Sequence, residues 1–319
     1  MKRKSQELIS IMILLTLYLG IFLFPKTIVT SGSMAITIFK ERLFPSVFPF
    51  FVLSFLLFHL PLRKQLCSLF QPLFSFLFHV SNNGVFVILM SIISGFPSGA
   101  KYISLFYQDK ALNKEEATFL LSFTHFANPL FILGTCGLLL KNQVLAFLIF
   151  ICQLLSNFII GFLMRPNNVK NDYLVTTKEP IVTDSFLSCL VDAIEQAMGV
   201  ILFMLGSIMF FMFCSQVICK LYPFSDFEKT WITGLLDLTS GVSLAAFLPL
   251  SSHKIALIML CFITFGGMSV HLQVIYALEK TDISYFSFLK GRILQTGVAC
   301  VLFLILSQAL KFIGAIIVV

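Results

Sequence analysis

Long apolar windows, separated by short clusters of charge, run along the whole chain. They are Leu8–Phe24, Leu43–Leu62, Gln65–Ala100, Ala117–Leu140, Asn142–Met164, Gln196–Cys219, Trp231–Leu250, Ile255–Leu278 and Ile293–Leu310. A membrane-spanning helix needs about 20 predominantly apolar residues, so most windows predict one span. Gln65–Ala100 is too long for one and carries the turn signal Asn82-Asn83-Gly84. It predicts a short or re-entrant segment over about 66–80 and a helix from about 84. Leu43–Leu62 is interrupted by Pro45, Pro49 and Pro61.

The longest hydrophilic stretch, 165–184, holds Arg165, Lys170, Asp172, Lys178, Glu179 and Asp184. It divides the chain into an N-terminal membrane helix within 1–30, a first membrane half over 31–164, a polar loop over 165–184 and a second membrane half over 185–319. Lys2, Arg3 and Lys4 precede the first apolar run, and no small-residue cleavage pattern follows. The expectation is a retained first helix with a cytoplasmic N-terminus.

Composition turns this pattern into a class. Hydrophobic residues make up 58% of the 319, with 38 phenylalanines, and charged residues only 12%, against about 25% in a soluble domain. A soluble enzyme, a disordered chain and a secreted disulfide scaffold are excluded. The expected fold is all-α: a polytopic integral membrane protein with about eight to ten membrane segments, in the inner (cytoplasmic) membrane. The +7 net charge comes from clusters at span ends, where Lys and Arg set orientation, so no nucleic-acid partner is expected. The eight cysteines include no CxxC pair and lie mostly in apolar runs. They read as small buried residues, with neither metal nor cofactor implied.

Four segments break the helix rule inside apolar runs: Ser94-Gly95-Phe96-Pro97-Ser98-Gly99, Asn128-Pro129, Leu238-Thr239-Ser240-Gly241 and Gly266-Gly267. Broken backbone survives at membrane depth only where protein or a water-filled cavity satisfies it. Paired breaks in two halves point to a transporter site near the midplane, where half-helix N-termini face an anionic group. The halves carry a short match. Ser94-Gly95 and, further on, Phe123, Phe126 and Ala127-Asn128 correspond to Ser240-Gly241, Phe262, Phe265 and Gly266-Gly267. Two related halves, of opposite or parallel topology, are expected.

Polar residues near the breaks are costly in lipid and therefore informative. The candidate substrate-binding set is Ser94, Gly95, Ser98, Gly99, Lys101, Asn128, Ser240, Gly241, Gly267, His271 and Gln273. Glycines would let backbone approach a substrate, and Ser98, Asn128 and Gln273 would donate hydrogen bonds. Lys101 would attract an anion, or else snorkel to the interface. Asp237 is the candidate for ion coupling; it could instead pair with Lys101 or cap a helix. His125 falls on the face of Asn128. Asp192, Glu195 and Gln196 share one helix face and read as an amphipathic start at the membrane surface. No HExxH, GxSxG, P-loop or carboxylate-rich metal cluster occurs, so an enzyme is not expected. Expected partners are a small anionic substrate and the lipid bilayer, with a coupling ion or a second copy of the chain as further candidates.

Several stretches carry a family resemblance. They are Phe44-Pro-Ser-Val-Phe-Pro-Phe-Phe51, Ser94-Gly-Phe-Pro-Ser-Gly-Ala-Lys101, Phe126-Ala-Asn-Pro-Leu-Phe-Ile132 and Gly266-Gly-Met-Ser-Val-His-Leu-Gln273. Their order over roughly 40–295 resembles the YlbJ-type sporulation integral membrane proteins, also called the stage V sporulation protein V family. These belong with the nucleoside-recognition (Gate) domain proteins, which are similar to part of the concentrative nucleoside transporters. The resemblance implies passage of dipicolinic acid, a small aromatic dianion, from mother cell towards forespore, with the protein on the mother-cell side of the forespore membrane. A non-transporting assembly or receptor-like protein of the same fold is the alternative.

Overall fold

The computed structural model describes residues 2–166 and 185–317, so 167–184 of the expected polar loop lies outside the described residues. All regular structure among those described is helical. Helix α1 (Lys2–Leu23) is followed at Pro25 by α2 (Pro25–Ile38), with proline where its missing N–H costs nothing. A π-helical turn, Phe39–Leu43, leads into α3 (Phe44–His59), and Phe44 N donates to Phe39 O, five residues back. Pro45 has no N–H to give the preceding turn, and the wider turn takes up that mismatch. Pro25–His59 thereby forms one 35-residue rod.

Helices α4 (Leu62–Phe78) and α5 (Asn82–Ser94) meet at 95°, as the long charge-free window predicts. The turn sits at His79–Ser81, earlier than the Asn-Asn-Gly signal. Ser81 Oγ caps α5 by accepting from Gly84 N, so Asn82-Asn83-Gly84 becomes the helix's first turn. Buried Glu116 accepts from Ser81 N at 2.7 Å and pins this corner.

Next come α6 (Ser98–Gln108), α7 (Lys114–Phe123), a π-helical turn (Phe131–Cys136) continued by α8 (Gly137–Leu140), and α9 (Gln143–Met164). The second half opens with α10 (Phe186–Leu221), whose 36 residues reach about 54 Å. It continues with α11 (Asp226–Leu236), α12 (Leu238–Ala245), α13 (Ser252–Phe265), α14 (Gly267–Leu278) and α15 (Tyr285–Ile317). The first half runs from its long rod through α4 to the pairs α5/α6 and α7/α8 and to α9, and the second from α10 through the pairs α11/α12 and α13/α14 to α15.

Among the described residues, five segments are long and apolar enough to cross a membrane: Pro25–His59, Gln143–Met164, Phe186–Leu221, Ser252–Leu278 and Tyr285–Leu310. The bent pair α4–α5 makes a sixth. Fewer long spans than apolar windows appear because several windows fold as half-length helices. The rod α2–α3 packs along α10, and α9 along α15. Large apolar side chains such as Phe22, Leu138, Leu163 and Leu304 face outward, while Gln153, Asn157, Asp237 and Arg292 are buried. Outward apolar and inward polar is the arrangement that lipid as solvent demands. The chain is an all-α, multi-pass membrane protein.

Candidate functional site

The first break begins where α5 ends. Gly95 has φ 79°, a conformation open to glycine, and the chain turns back through a cis Phe96–Pro97 peptide into α6. This turn docks on the non-helical stretch 124–128. Phe96 N donates to Phe126 O at 2.8 Å. Asn128 Nδ2 donates to Ile93 O and Ser94 O, both at 3.3 Å, while its Oδ1 accepts from Leu130 N at 2.8 Å. A methyl group at Gly95 would press on the Asn128 backbone, and one at Gly99 would overlap Thr124 O. Both glycines therefore serve close backbone contact.

Five non-helical residues leave polar backbone in the protein interior, which must be satisfied. Helices α9 and α15 supply the groups. Gln153 accepts from Ala127 N at 2.9 Å and donates to Ala127 O at 3.1 Å. Asn157 donates to His125 O at 2.8 Å. Arg292, fully buried, donates to His125 O and Ser122 O, both at 3.2 Å, to Asn157 Oδ1 at 3.1 Å and to Gln295 Oε1. Its guanidinium also sits 5.4 Å from the Phe288 ring centroid. A cation at the carbonyl end of α7 is electrostatically favoured.

The second half solves the same problem with a carboxyl group. Only Asp237 is non-helical between α11 and α12. Its Oδ2 accepts from Ser240 N at 2.9 Å and Ser240 Oγ at 2.6 Å, and its Oδ1 from Ser269 Oγ at 2.8 Å. The break therefore lies at Asp237, and Leu238-Thr239-Ser240-Gly241 forms the first turn of α12, because Asp237 caps that helix. Gly241 abuts Gly234, and Gly267 (φ 65°) abuts the Asp237–Leu238 backbone. Gly266, at φ 96°, makes the break between α13 and α14.

The two halves meet at a central cavity. Phe96 and Asn128 line it from the first half, and Asp237, Thr239, Ser269 and Gln273 from the second. Leu43, Val47, Met204 and Ile208 of the long rods, with Phe131, Leu238 and Val270, complete it with apolar side chains. As it stands the space admits little more than one water molecule. Beside it opens a wide vestibule, with about 1100 Å3 of unfilled space including open solvent. Pro97, Lys101, Gln108, Glu195, Gln196, Tyr276, Glu279 and Lys280 are among its lining residues. Gln273 lines both spaces, and the adjacent Phe96 and Pro97 face one each.

Of the sequence-derived candidates, Asn128, Asp237 and Gln273 come together at the cavity. Lys101 stands in the vestibule, half-buried, and forms no ion pair with Asp237 among the described residues. Their separate placement removes that pairing alternative. The hydroxyls of Ser94, Ser98 and Ser240 are engaged by Phe50 O, by Met90 O and Gly95 O, and by Asp237. His271 is held between Tyr285 Oη and Phe265 O. His125 stacks on Phe96 with centroids 4.9 Å apart. Asp192 and Glu195 are exposed on α10.

Sequence reasoning missed Arg292, which directly precedes the window Ile293–Leu310, and the amides Gln153, Asn157 and Gln295. The available signal was their spacing: 153 and 157, and 292 and 295, each mark one polar stripe on an otherwise apolar helix.

Broken helices closing on a small, largely apolar cavity with a few polar side chains, within a lipid-facing bundle, define this molecule as a polytopic membrane protein whose interior is built from interrupted helices. The chain is 27% identical over 322 aligned positions, covering 90% of its own length and 79% of the relative's, to the sporulation integral membrane protein YlbJ of Bacillus subtilis strain 168. This similarity agrees with the resemblance that the four motifs carry. No protein-family model matches the chain, and no solved structure matches it.

Proposed function

We propose that this protein is a non-enzymatic transporter that carries a small anionic metabolite across the cytoplasmic membrane or one derived from it. One observation supports this reading above the others. Breaks from both halves adjoin a single cavity, and a wide vestibule bearing Lys101 and Lys280 opens beside it. A static scaffold has no need of such costly broken backbone. The YlbJ relationship adds sporulation as the setting and, through the family resemblance, dipicolinic acid as the first substrate to try.

The alternative, a non-transporting assembly or receptor-like protein, is favoured by the narrowness of the cavity, since flux requires the breaks to move apart. Purified protein in liposomes should take up labelled dipicolinate; binding without uptake would select the alternative. Lys101→Ala should weaken a dicarboxylate about threefold to fivefold at low salt, as expected for a partly exposed charge, and a neutral analogue not at all. Equal weakening of both would remove Lys101 from anion recognition.

A further inference from the structure

Gln273 sits where the vestibule and the central cavity adjoin, and it lines both. It is 2% exposed. Its Nε2 donates to Ser207 Oγ at 2.9 Å, while its Oε1 has no partner. The amide's orientation follows from chemistry. Ser207 has one hydroxyl hydrogen, and that hydrogen goes to Met204 O at 2.8 Å. Ser207 Oγ can then only accept, so the atom of Gln273 facing it must be the NH2 group. The carbonyl oxygen is left over. An unpaired buried acceptor carries a desolvation cost that a ligand's donor would relieve.

The other polar side chains around the cavity are largely committed to the fold. Asn128 uses both ends of its amide, each Asp237 oxygen already accepts, and Ser269 gives its hydrogen to Asp237. Of the buried side-chain atoms without a partner among the described residues, Gln273 Oε1 is the one on the cavity wall. The Asp237 carboxyl on the same wall favours a ligand of the same polarity.

We propose that Gln273 Oε1 is the hydrogen-bond acceptor of the passage, and that a ligand moving from vestibule to cavity must offer it a donor. This rests on the transport reading and deepens it: the acid crosses with an N–H, a hydroxyl or a still-protonated carboxyl group turned towards Gln273. The role is the reverse of the donor expected from sequence. Lysines in the vestibule attract the charge; the neck selects the donor.

The test uses two labelled probes on the full-length protein in liposomes: pyridine-2,6-dicarboxylate and its monoamide, which replaces one carboxylate with an N–H-bearing carboxamide. Wild-type protein should bind the monoamide roughly tenfold more tightly, the worth of one good buried hydrogen bond. Gln273→Met should weaken the monoamide about tenfold more than the dianion. Ser207→Ala keeps Gln273 but frees its amide to turn, so the preference should shrink as the dianion gains. Equal weakening of both probes by Gln273→Met, or no preference in the wild type, would overturn the proposal. Monoamide binding without dianion binding would sustain it while sinking dipicolinate as the substrate. A protein that binds neither probe would sink both.

Discussion

Two breaks, one in each half, are repaired in opposite ways. At 124–128 in the first half five residues leave the helix, and the repair comes from outside: Gln153 and Asn157 on α9, with the buried cation Arg292 on α15, reach in to 122–127. At Asp237 in the second half one residue leaves the helix and repairs itself. Asp237 both ends α11 and caps α12. The difference teaches what each break can do. A stretch held by three side chains from two other helices opens only if those helices shift. A break held by its own carboxyl and two serines has few ties to lose.

The contrast can be broken most forcefully at Arg292. Arg292→Met removes the donors to Ser122 O, His125 O and Asn157 Oδ1. His125 O keeps its bond from Asn157, but stranding Ser122 O and Asn157 Oδ1 in the interior should cost about 2–4 kcal/mol, less whatever is recovered by not burying a charge. Thermal unfolding in detergent reads the loss, and Arg292→Lys should restore part of it. An unchanged melting temperature for Arg292→Met would mean that the first break does not depend on α15.

Asp237 gives the smaller effect and the sharper question. Asp237→Ala removes the cap and leaves Ser240 N unpaired, with an expected loss of about 1–3 kcal/mol. Asp237→Asn retains one accepting oxygen, so a cap alone predicts a milder loss of stability and uptake that still responds to a proton gradient. A carboxyl that carries the coupling ion predicts stable protein whose uptake ignores proton and sodium gradients. The second result would assign Asp237 to coupling; the first would confine it to capping.

These two residues also mark how far the sequence can be read. The breaks are legible, because Gly, Pro and Ser clustered inside an apolar run are poor material for an unbroken helix. Asn128, Asp237 and Gln273 are legible for the same reason, as polar groups beside such breaks. Sequence alone puts the third break at Leu238–Gly241, one residue late, because Thr-Ser-Gly reads as irregular chain although Asp237 caps it into a helical turn. Arg292 is lost because a charge-free window must start after a charge, which counts any arginine at its edge as outside. Gln153 and Asn157 are lost because neutral amides barely lower a hydropathy average. No one-dimensional pattern shows that α9 and α15 reach the gap after α7. Lys101 is legible as a cation but not in its placement, since a helix face has to be folded before it faces a vestibule.

The gentlest test of the comparison lies outside the bilayer, where the halves are clasped. Asp282, in the loop after α14, accepts from Lys114 Nζ at 2.7 Å and from Tyr107 Oη at 2.6 Å, joining the α6–α7 hairpin to the second half. The hydrogen bond from Lys114, then that from Tyr107, holds the Asp282 carboxyl below the usual aspartate range. Because the folded value is the lower one, the unfolded chain takes up the proton first as pH falls. The clasp therefore contributes fully above the ordinary aspartate range and is lost as pH drops through the depressed value. Lys114 is raised by the same partner, so its share persists below the ordinary lysine range and is lost only as pH rises through the raised value. All of this is solvent-exposed and screened by salt. Asp282→Asn should lower the melting temperature less than either buried substitution, and the difference should fade in high salt and at acid pH. Because Glu279 and Lys280 stand beside both the clasp and the vestibule, a pH-dependent change in dicarboxylate uptake that disappears in Asp282→Asn would tie the loop to the mouth of the passage. Uptake that follows pH identically in both proteins would leave the clasp a matter of stability alone.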